Sequence, residues 1–464
     1  MSWAVIRPRI VLPSLSCTIS ALRGQNDNSS NIRPMRRAIG YLRHSLDGNF
    51  GDSPFILKVF RSSAGYAMDS GCFLRVVRFL VRVPPMKGFA SIWFLLVLAG
   101  CHRDDCLVYD GGCNPFVTGF LFSRIQAARF IAVSNSTGGS VSIYQMNYST
   151  GTLSPVSGSP FAAGASPHHL AAHPSGRFLY LANNGSNNIS GYAVNSNTGA
   201  LTQVSGSPFA SVTAPYSVTI DPTGTYLYAG SETTANISGY QIDGSTGALT
   251  QISGSPFAAA PVAGSVRVSP SGRFLYAGVN NATGQVLAYA IAPNGSLSTI
   301  SGSPFTSGND TISVTVDPYE RFVLGINYFT TNIYSYSIGP GGALTTVGIY
   351  STGSAPGYVT VEPSGRFVYV ANSGDATGLV ALSAYFIGAS GAMIPLGAGP
   401  FAAGASPIGC AAEPLGRYVF SANTGSNTVT MHTINQTSGV PTIVGTYSTG
   451  NGPFGVSFIP TMQY

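Results

Sequence analysis

An arginine followed by an aromatic residue recurs along the chain at Arg129-Phe130, Arg177-Phe178, Arg273-Phe274, Arg321-Phe322, Arg366-Phe367 and Arg417-Tyr418, with Thr225-Tyr226 as the variant member. Successive spacings are 48, 48, 48, 48, 45 and 51 residues. A unit of that length cannot bury its apolar face alone and must stack on its neighbours, so the period constrains the architecture more than any other feature. Each unit carries an eight-residue strand ending in Pro, a Ser-Gly or Thr-Gly turn, the Arg-aromatic strand and a third strand (ISGYAV at 189–194, ISGYQI at 237–242, VLAYAI at 286–291). A turn such as NTGALT at 197–202 and an ISGSPF-like strand end complete it. Seven units of four antiparallel strands predict an all-β chain with a seven-bladed β-propeller over residues 129–460 and a short tail at 461–464. The first unit begins at its second strand, and the C-terminal PFGVSFIP at 453–460 has the pattern of the missing inner strand. The last strand is therefore expected to complete the first blade and close the ring, leaving no open sheet edge.

Composition agrees with this reading. Only 8% of the 464 residues are charged, and the chain holds 57 Gly, 25 Phe and 24 Tyr, a poor mixture for helices and a good one for short strands and tight turns. The formal charge of +6 is unevenly placed: residues 1–100 hold 13 Lys plus Arg against 4 Asp plus Glu, and residues 101–464 hold 9 against 12. After residue 100 there is no lysine, which removes Schiff-base chemistry and leaves no electrostatic footprint for nucleic acid.

From Met86 the sequence reads MKGFASIWFLLVLAGC. One basic residue, an apolar run at 89–99 too short to span a bilayer, and then Gly100-Cys101 have the form of a leader peptide over 86–100. Leu98, Ala99, Gly100 and Cys101 resemble a bacterial lipoprotein box, which implies a lipidated Cys101 and a propeller anchored in the cell envelope through lipid alone. On that reading residues 1–85 precede the true start and are expected to be disordered, and 101–128 form a tether. The alternative is a genuine basic extension whose CFLRVVRFLVRV stretch at 72–83 lies on a membrane surface. Cys106 and Cys113 flank a Gly-Gly loop and are a candidate pair in an oxidising envelope, while Cys410 sits at an apolar strand position and is expected to be a buried thiol. No metal-ligand spacing is present, and no cofactor is expected.

Aligned on their final Pro, the inner strands read PHHLAAHP, PYSVTIDP, AGSVRVSP, TISVTVDP, PGYVTVEP, PIGCAAEP and PFGVSFIP. Their alternation has period two. The fourth column (Leu170, Val218, Val266, Val314, Val359, Cys410, Val456) should pack between blades, and the odd columns should face the central channel. At one mouth this places His169, Ser217 and Tyr358, with His168 beside them; the other mouth receives His173, Asp221, Asp317, Glu362 and Glu413. Arg267 lies midway among Ala, Thr and Ser. Its fork suits a ligand carboxylate or phosphate, and a salt bridge to Asp221 or Asp317 is the alternative. His168 and His169 are candidate general bases for water attack on an ester carbonyl, or else loop caps bonded to backbone. The arginines of the Pro-Ser-Gly-Arg turns recur too often to be catalytic and are expected to reach over the neighbouring blade.

The HPSGRFLYLANN, NTGALT and SGSPF elements resemble the lactonase family of seven-bladed propellers, which includes 6-phosphogluconolactonase-like enzymes and is similar to the YVTN-repeat propellers. PHHLAAHP at 167–174 is similar to the family's Pro-Arg-His-Leu-Ala-Phe-His-Pro strand, so His169 matches its His, and His168 stands where it has Arg. The family's Asn-Glu-Leu loop is here Asn183-Asn184-Gly185, and its His-x-His-Ser strand is absent. The resemblance implies a carboxylic ester hydrolase acting on a lactone and supports His169; the residues themselves put forward His169, His168 and Arg267 as catalytic candidates and Ser217, Glu232 and Tyr358 as ligand contacts, in a chain expected to be a monomer. The competing function is a propeller that binds envelope carbohydrate or protein without chemistry. Convergence of His168, His169, Arg267 and a loop acid such as Glu232 favours the enzyme, and Arg267 paired to Asp221 or Asp317 favours the binding module.

Overall fold

The computed structural model describes residues 56–60, 65–67, 72–82, 91–101, 128–148, 150–259, 262–374, 381–397 and 399–460. The chain divides into two units, Met1–Gly111 and Gly112–Tyr464. In the first, Ile56–Phe60 and Gly65–Ala67 pair antiparallel with Cys72–Arg82, which also pairs with Ser91–Cys101. The last of these strands includes most of the apolar run that was read as a leader. Cys106 and Cys113 lie outside the described residues.

The second unit is all-β and consists of seven antiparallel sheets. Blade 1 begins with the C-terminal strand Pro453–Pro460, which pairs with Ala128–Asn135 and so joins the two ends of the propeller. Ser140–Asn147 and Thr152–Pro155 complete it. Blades 2 to 7 open with the inner strands Pro167–Ala172, Pro215–Ile220, Ala263–Val268, Thr311–Val316, Pro356–Val361 and Pro407–Ala412. Successive inner strands lie side by side around the ring, and Pro453–Pro460 sits between those of blades 7 and 2. The expected closure is thus present.

Apolar burial holds the ring together. Seven core clusters form, one at each blade interface, and each takes one fourth-column residue of the inner strands: Leu170, Val218, Val266, Val314, Val359, Cys410 and Val456. The interface that seals blade 7 to blade 1 buries Phe420, Val429 and Met431 against Ile131, Val133 and Met146. Polar side chains repeat the same logic. The hydroxyls of Tyr180, Tyr228, Tyr276 and Tyr369 donate to the carbonyls of Gly247, Gly295, Gly342 and Gly439, each in the next blade. Arg177 donates to Gly244 O and Ser245 O of the next blade, and Arg321 and Arg366 reach Gly365 O and Gln436 O in the same way. The turn arginines are structural, as expected.

In five blades the outermost strand is broken at the SGSPF or GAGPF turn, leaving a two-residue strand such as Phe209–Ala210 that pairs separately with the third strand. Blades 5 and 7 keep one unbroken outer strand, Leu344–Ser351 and Pro441–Ser448.

Candidate functional site

Every inner strand carries an irregularity at the same point. In blade 2 the partners step from Leu181↔Leu170 to Asn183↔Pro167, so the inner strand has one residue more than its neighbour; blades 3 to 7 shift at the equivalent position. A bulge of this kind re-aims side chains. Strict alternation therefore fails at this mouth, and second-column residues join third-column residues there. This is how His168, Tyr216 and Phe454, all second-column, come to meet His169 and Tyr358.

The His168 ring stacks on Phe454 at 4.3 Å between centroids and meets the edge of Tyr216 at 5.4 Å. His169 lies edge-on to Tyr216 and Phe454, both at 5.1 Å, and stacks on Tyr358 at 4.6 Å. Arg267 comes from blade 4 and donates from Nη2 to the Tyr358 hydroxyl, with its Cζ 5.9 Å from that ring. The inner strands of blades 1 and 2 run so close that a Cβ on Gly455 would stand 3.0 Å from His168 O and 3.1 Å from His169 Cα. Glycine thereby lets the two strands approach closely where the histidines are set in place. Ser134 secures the same spot, donating to His168 O and accepting from Gly455 N at 2.9 Å.

Several polar atoms in this cluster are buried without a hydrogen-bond partner: His168 Nδ1, His169 Nε2, the Tyr216 hydroxyl and Arg267 Nε. Buried polar groups are normally satisfied, so unpaired ones converging on one mouth point to a ligand. Burial holds the His168 imidazole down at about 4. It pushes His169 well below the ordinary histidine value, helped by His168 and Arg267. Both rings are neutral at neutral pH and able to accept a proton. The Tyr216 phenol is pushed well up by burial, then by Glu232, Tyr358 and Asp310. Glu232 is held by Asn184, whose Nδ2 donates to its Oε2 at 2.8 Å.

The remaining sequence expectations divide. Arg267 makes no salt bridge with Asp221 or Asp317. Those acids turn away because their own strand ends hold them: Asp317 accepts from Arg321 Nε at 2.8 Å and from backbone N–H groups, and Asp221 accepts from Thr223 and from Tyr226 N. Glu362 and Glu413 cap the equivalent turns. The acids of the seventh column are turn caps rather than channel groups. His173, of the same column, is likewise a turn residue, bonded to Ser175 and to Gly224 O of blade 3. Ser217, expected to contact ligand, has its hydroxyl engaged between blades, donating to Gly264 O and accepting from Val266 N. Tyr216, Phe454 and Asp310 were missed by the sequence reading; the register shift that exposes the first two has no signature in an eight-residue alternation. Among the described residues, no group of three or more His, Cys, Asp or Glu side chains is placed to hold a metal.

The lactonase seven-bladed β-propeller family model matches residues 122–219, 161–267, 264–348 and 330–455. No curated protein matches the chain. Among solved structures, a candidate 6-phosphogluconolactonase from Bacteroides fragilis superposes with a TM-score of 0.60 at 18% identity, covering 72% of this chain and 98% of its own. A second candidate, from Bacteroides uniformis, gives 0.60 at 20% identity, with 72% and 100% covered. The periplasmic gluconolactonase of Pseudomonas aeruginosa gives 0.59 at 19% identity, with 72% and 99% covered. At such identity these neighbours speak for the fold. Together with the match that runs from residue 122 to residue 455, the repeated blades and the ring closure place the chain in the lactonase family of seven-bladed β-propellers.

Proposed function

We propose that this propeller hydrolyses a lactone at the channel mouth where His168, His169 and Arg267 converge. The observation that carries the proposal is the neutral, buried His169, whose Nε2 has no partner, standing in one cluster with an Arg267 that is bonded to Tyr358 and to neither Asp221 nor Asp317. His169 takes a proton from water as the water oxygen attacks the lactone carbonyl. Arg267 holds the developing oxyanion or an anionic substituent of the substrate. The ester C–O bond then breaks and a hydroxy acid leaves. Phe454, His168 and Tyr216 form the aromatic wall, and Tyr358 lies between His169 and Arg267, where it is a ligand contact.

We further propose that the propeller works in the bacterial cell envelope, anchored through a lipidated Cys101 after removal of the leader 86–100. The support is the order of Lys87, the apolar run and the Leu-Ala-Gly-Cys sequence. Mass spectrometry of the native N-terminus tests this, and an intact Met1 sinks it. The enzymatic reading is tested by pH-stat hydrolysis over sugar and aliphatic lactones with His169→Gln and Arg267→Ala in parallel. The expected result is turnover that falls by about 100-fold or more in each variant. Turnover untouched by both changes overturns the site, and no turnover at all favours a propeller whose work is binding.

A further inference from the structure

The repeats provide an internal control for locating function, because a position that is structural in all seven blades carries similar residues in each. One such position lies just ahead of the inner strand: Ser166, Ala214, Val262, Asp310, Ala355, Ser406 and Gly452. In every blade its carbonyl accepts the N–H of the residue following the second strand, namely Asn184, Glu232, Asn280, Tyr328, Ser373, Thr424 and Ser136. The first set holds one acid, Asp310, and the second holds one acid, Glu232. Both stand at the mouth that carries the histidines. Asp310 has φ +64°, a left-handed conformation that Ala occupies at the same position in blades 3 and 6, where Ala214 and Ala355 both have φ +47°. The backbone there makes no demand for a carboxylate.

The Asp310 side chain is also exceptional in its surroundings. The residue is 7% exposed, and its Oδ1 is the one carboxylate oxygen among the described residues that is buried without a hydrogen-bond partner. Asp221, Asp317, Glu362, Glu413 and Asp243 cap turns, and Glu320 holds Ser271 and Arg273. Burial and the charge of Glu232 raise the Asp310 carboxyl to about 6. Tyr216 feels both acids, is 4% exposed, and has a hydroxyl with no partner. An acid of this kind keeps its proton near neutrality and can give it away.

We propose that Asp310 is the proton donor of the channel mouth, delivering its proton to the ring oxygen of the lactone as the ester C–O bond breaks, with Glu232 keeping that proton in place beforehand. The inference rests on the lactonase reading. Water adds to the carbonyl carbon as His169 Nε2 takes one of its protons. When the tetrahedral intermediate collapses, the C–O bonding pair goes to the ring oxygen, which takes the Asp310 proton and leaves as a neutral hydroxyl. The His169 imidazolium then returns a proton through solvent to the Asp310 carboxylate, and both groups are reset. Among the described residues, Glu232, Tyr216, Tyr328, His168, His169, Arg267 and Tyr358 are the titratable or charged groups at this mouth, and the two imidazoles stay neutral while Asp310 titrates.

The test compares wild type with Asp310→Asn, which tolerates the left-handed backbone, and Asp310→Ala, the residue of blades 3 and 6. The substrates are glucono-δ-lactone, whose leaving alkoxide needs a proton, and dihydrocoumarin, whose phenolate does not. Both variants should lose about 100-fold in kcat on the alkyl lactone and little on the aryl one. The wild-type rate on the alkyl lactone should fall above pH about 6, and this limb should be absent in Asp310→Asn and moved to lower pH in Glu232→Gln. Carboxyl NMR of wild type should show the Asp310 titration near the same pH, moved down in Glu232→Gln. Equal losses on both lactones, or none on either, overturn the donor role while leaving the lactonase reading standing. A wild type that hydrolyses neither lactone although Asp310 titrates near pH about 6 overturns the lactonase reading and the donor role with it.

Discussion

Replacing Asp310 by Ala should flatten one segment of the protein's pH–stability curve. The unfolded carboxyl titrates near 3.8 and the folded one at about 6. Between those values the folded protein keeps a proton that the unfolded chain has released, so stability falls as pH rises; below both values the group contributes no pH dependence, and above about 6 the cost is complete. A difference of roughly 2 pKa units at 1.36 kcal/mol each gives about 3 kcal/mol as an upper figure. Wild type and Asp310→Ala would be unfolded in urea at steps from pH 3.5 to 8, and the difference in free energy plotted against pH. Strain from Ala at φ +64° adds a constant offset that leaves the slope alone. The variant should gain on wild type by about 1–3 kcal/mol across the interval. Parallel curves, or a variant that loses ground as pH rises, would refute the placement of an unpaired carboxyl beside Glu232.

The histidines should act with the opposite sign. His168 and His169 stay neutral in the folded protein below the pH at which the free imidazole takes a proton, so stability falls as pH drops from about 6.5 towards 4. A His168→Gln, His169→Gln double variant should show a shallower acid limb in urea midpoints, and an unchanged limb counts against the burial. Tyr180→Phe strands Gly247 O between blades 2 and 3, and should cost about 1 kcal/mol in thermal or urea unfolding. Adding Tyr369→Phe, which strands Gly439 O far around the ring, should add a similar loss; strong coupling between the two would contradict nearest-neighbour stacking. Removing residues 453–464 takes the inner strand from blade 1 and strips Ile459 and Phe458 from the two adjoining clusters. The expected outcome is loss of the folded monomer and aggregation through the exposed strand Ala128–Asn135, read by circular dichroism and sedimentation. A stable monomer would show that closure is dispensable.

How much was legible depended on whether a signal repeats. The period near 48 residues, the Arg-aromatic strand and the fourth-column aliphatics each recur in the blades, and repetition raised them above chance. The mouth is built from the exceptions to that repetition. His168 and His169 were visible because two adjacent histidines stand out in an apolar strand, and Arg267 because its column is otherwise small. Tyr216 and Phe454 were hidden, since alternation assigns the second column to the opposite face and only the bulge turns it into the mouth. Ser217 shows the converse error: it faces the right way, but a neighbouring inner strand claims its hydroxyl. Asp221 and Asp317 were within reach of Arg267 along the strand and were drawn off by their own turns.

The all-β class, the number of blades and the closure of the ring by residues 453–460 can be read along the chain, because those depend on periodicity and on local turn chemistry that any stretch of chain carries with it. Which side chains share the channel mouth is settled in the folded ring alone. His169, Arg267, Asp310, Tyr358 and Phe454 come from five different blades, and their meeting depends on ring geometry and on a one-residue shift in strand register. A pattern read along one strand contains neither.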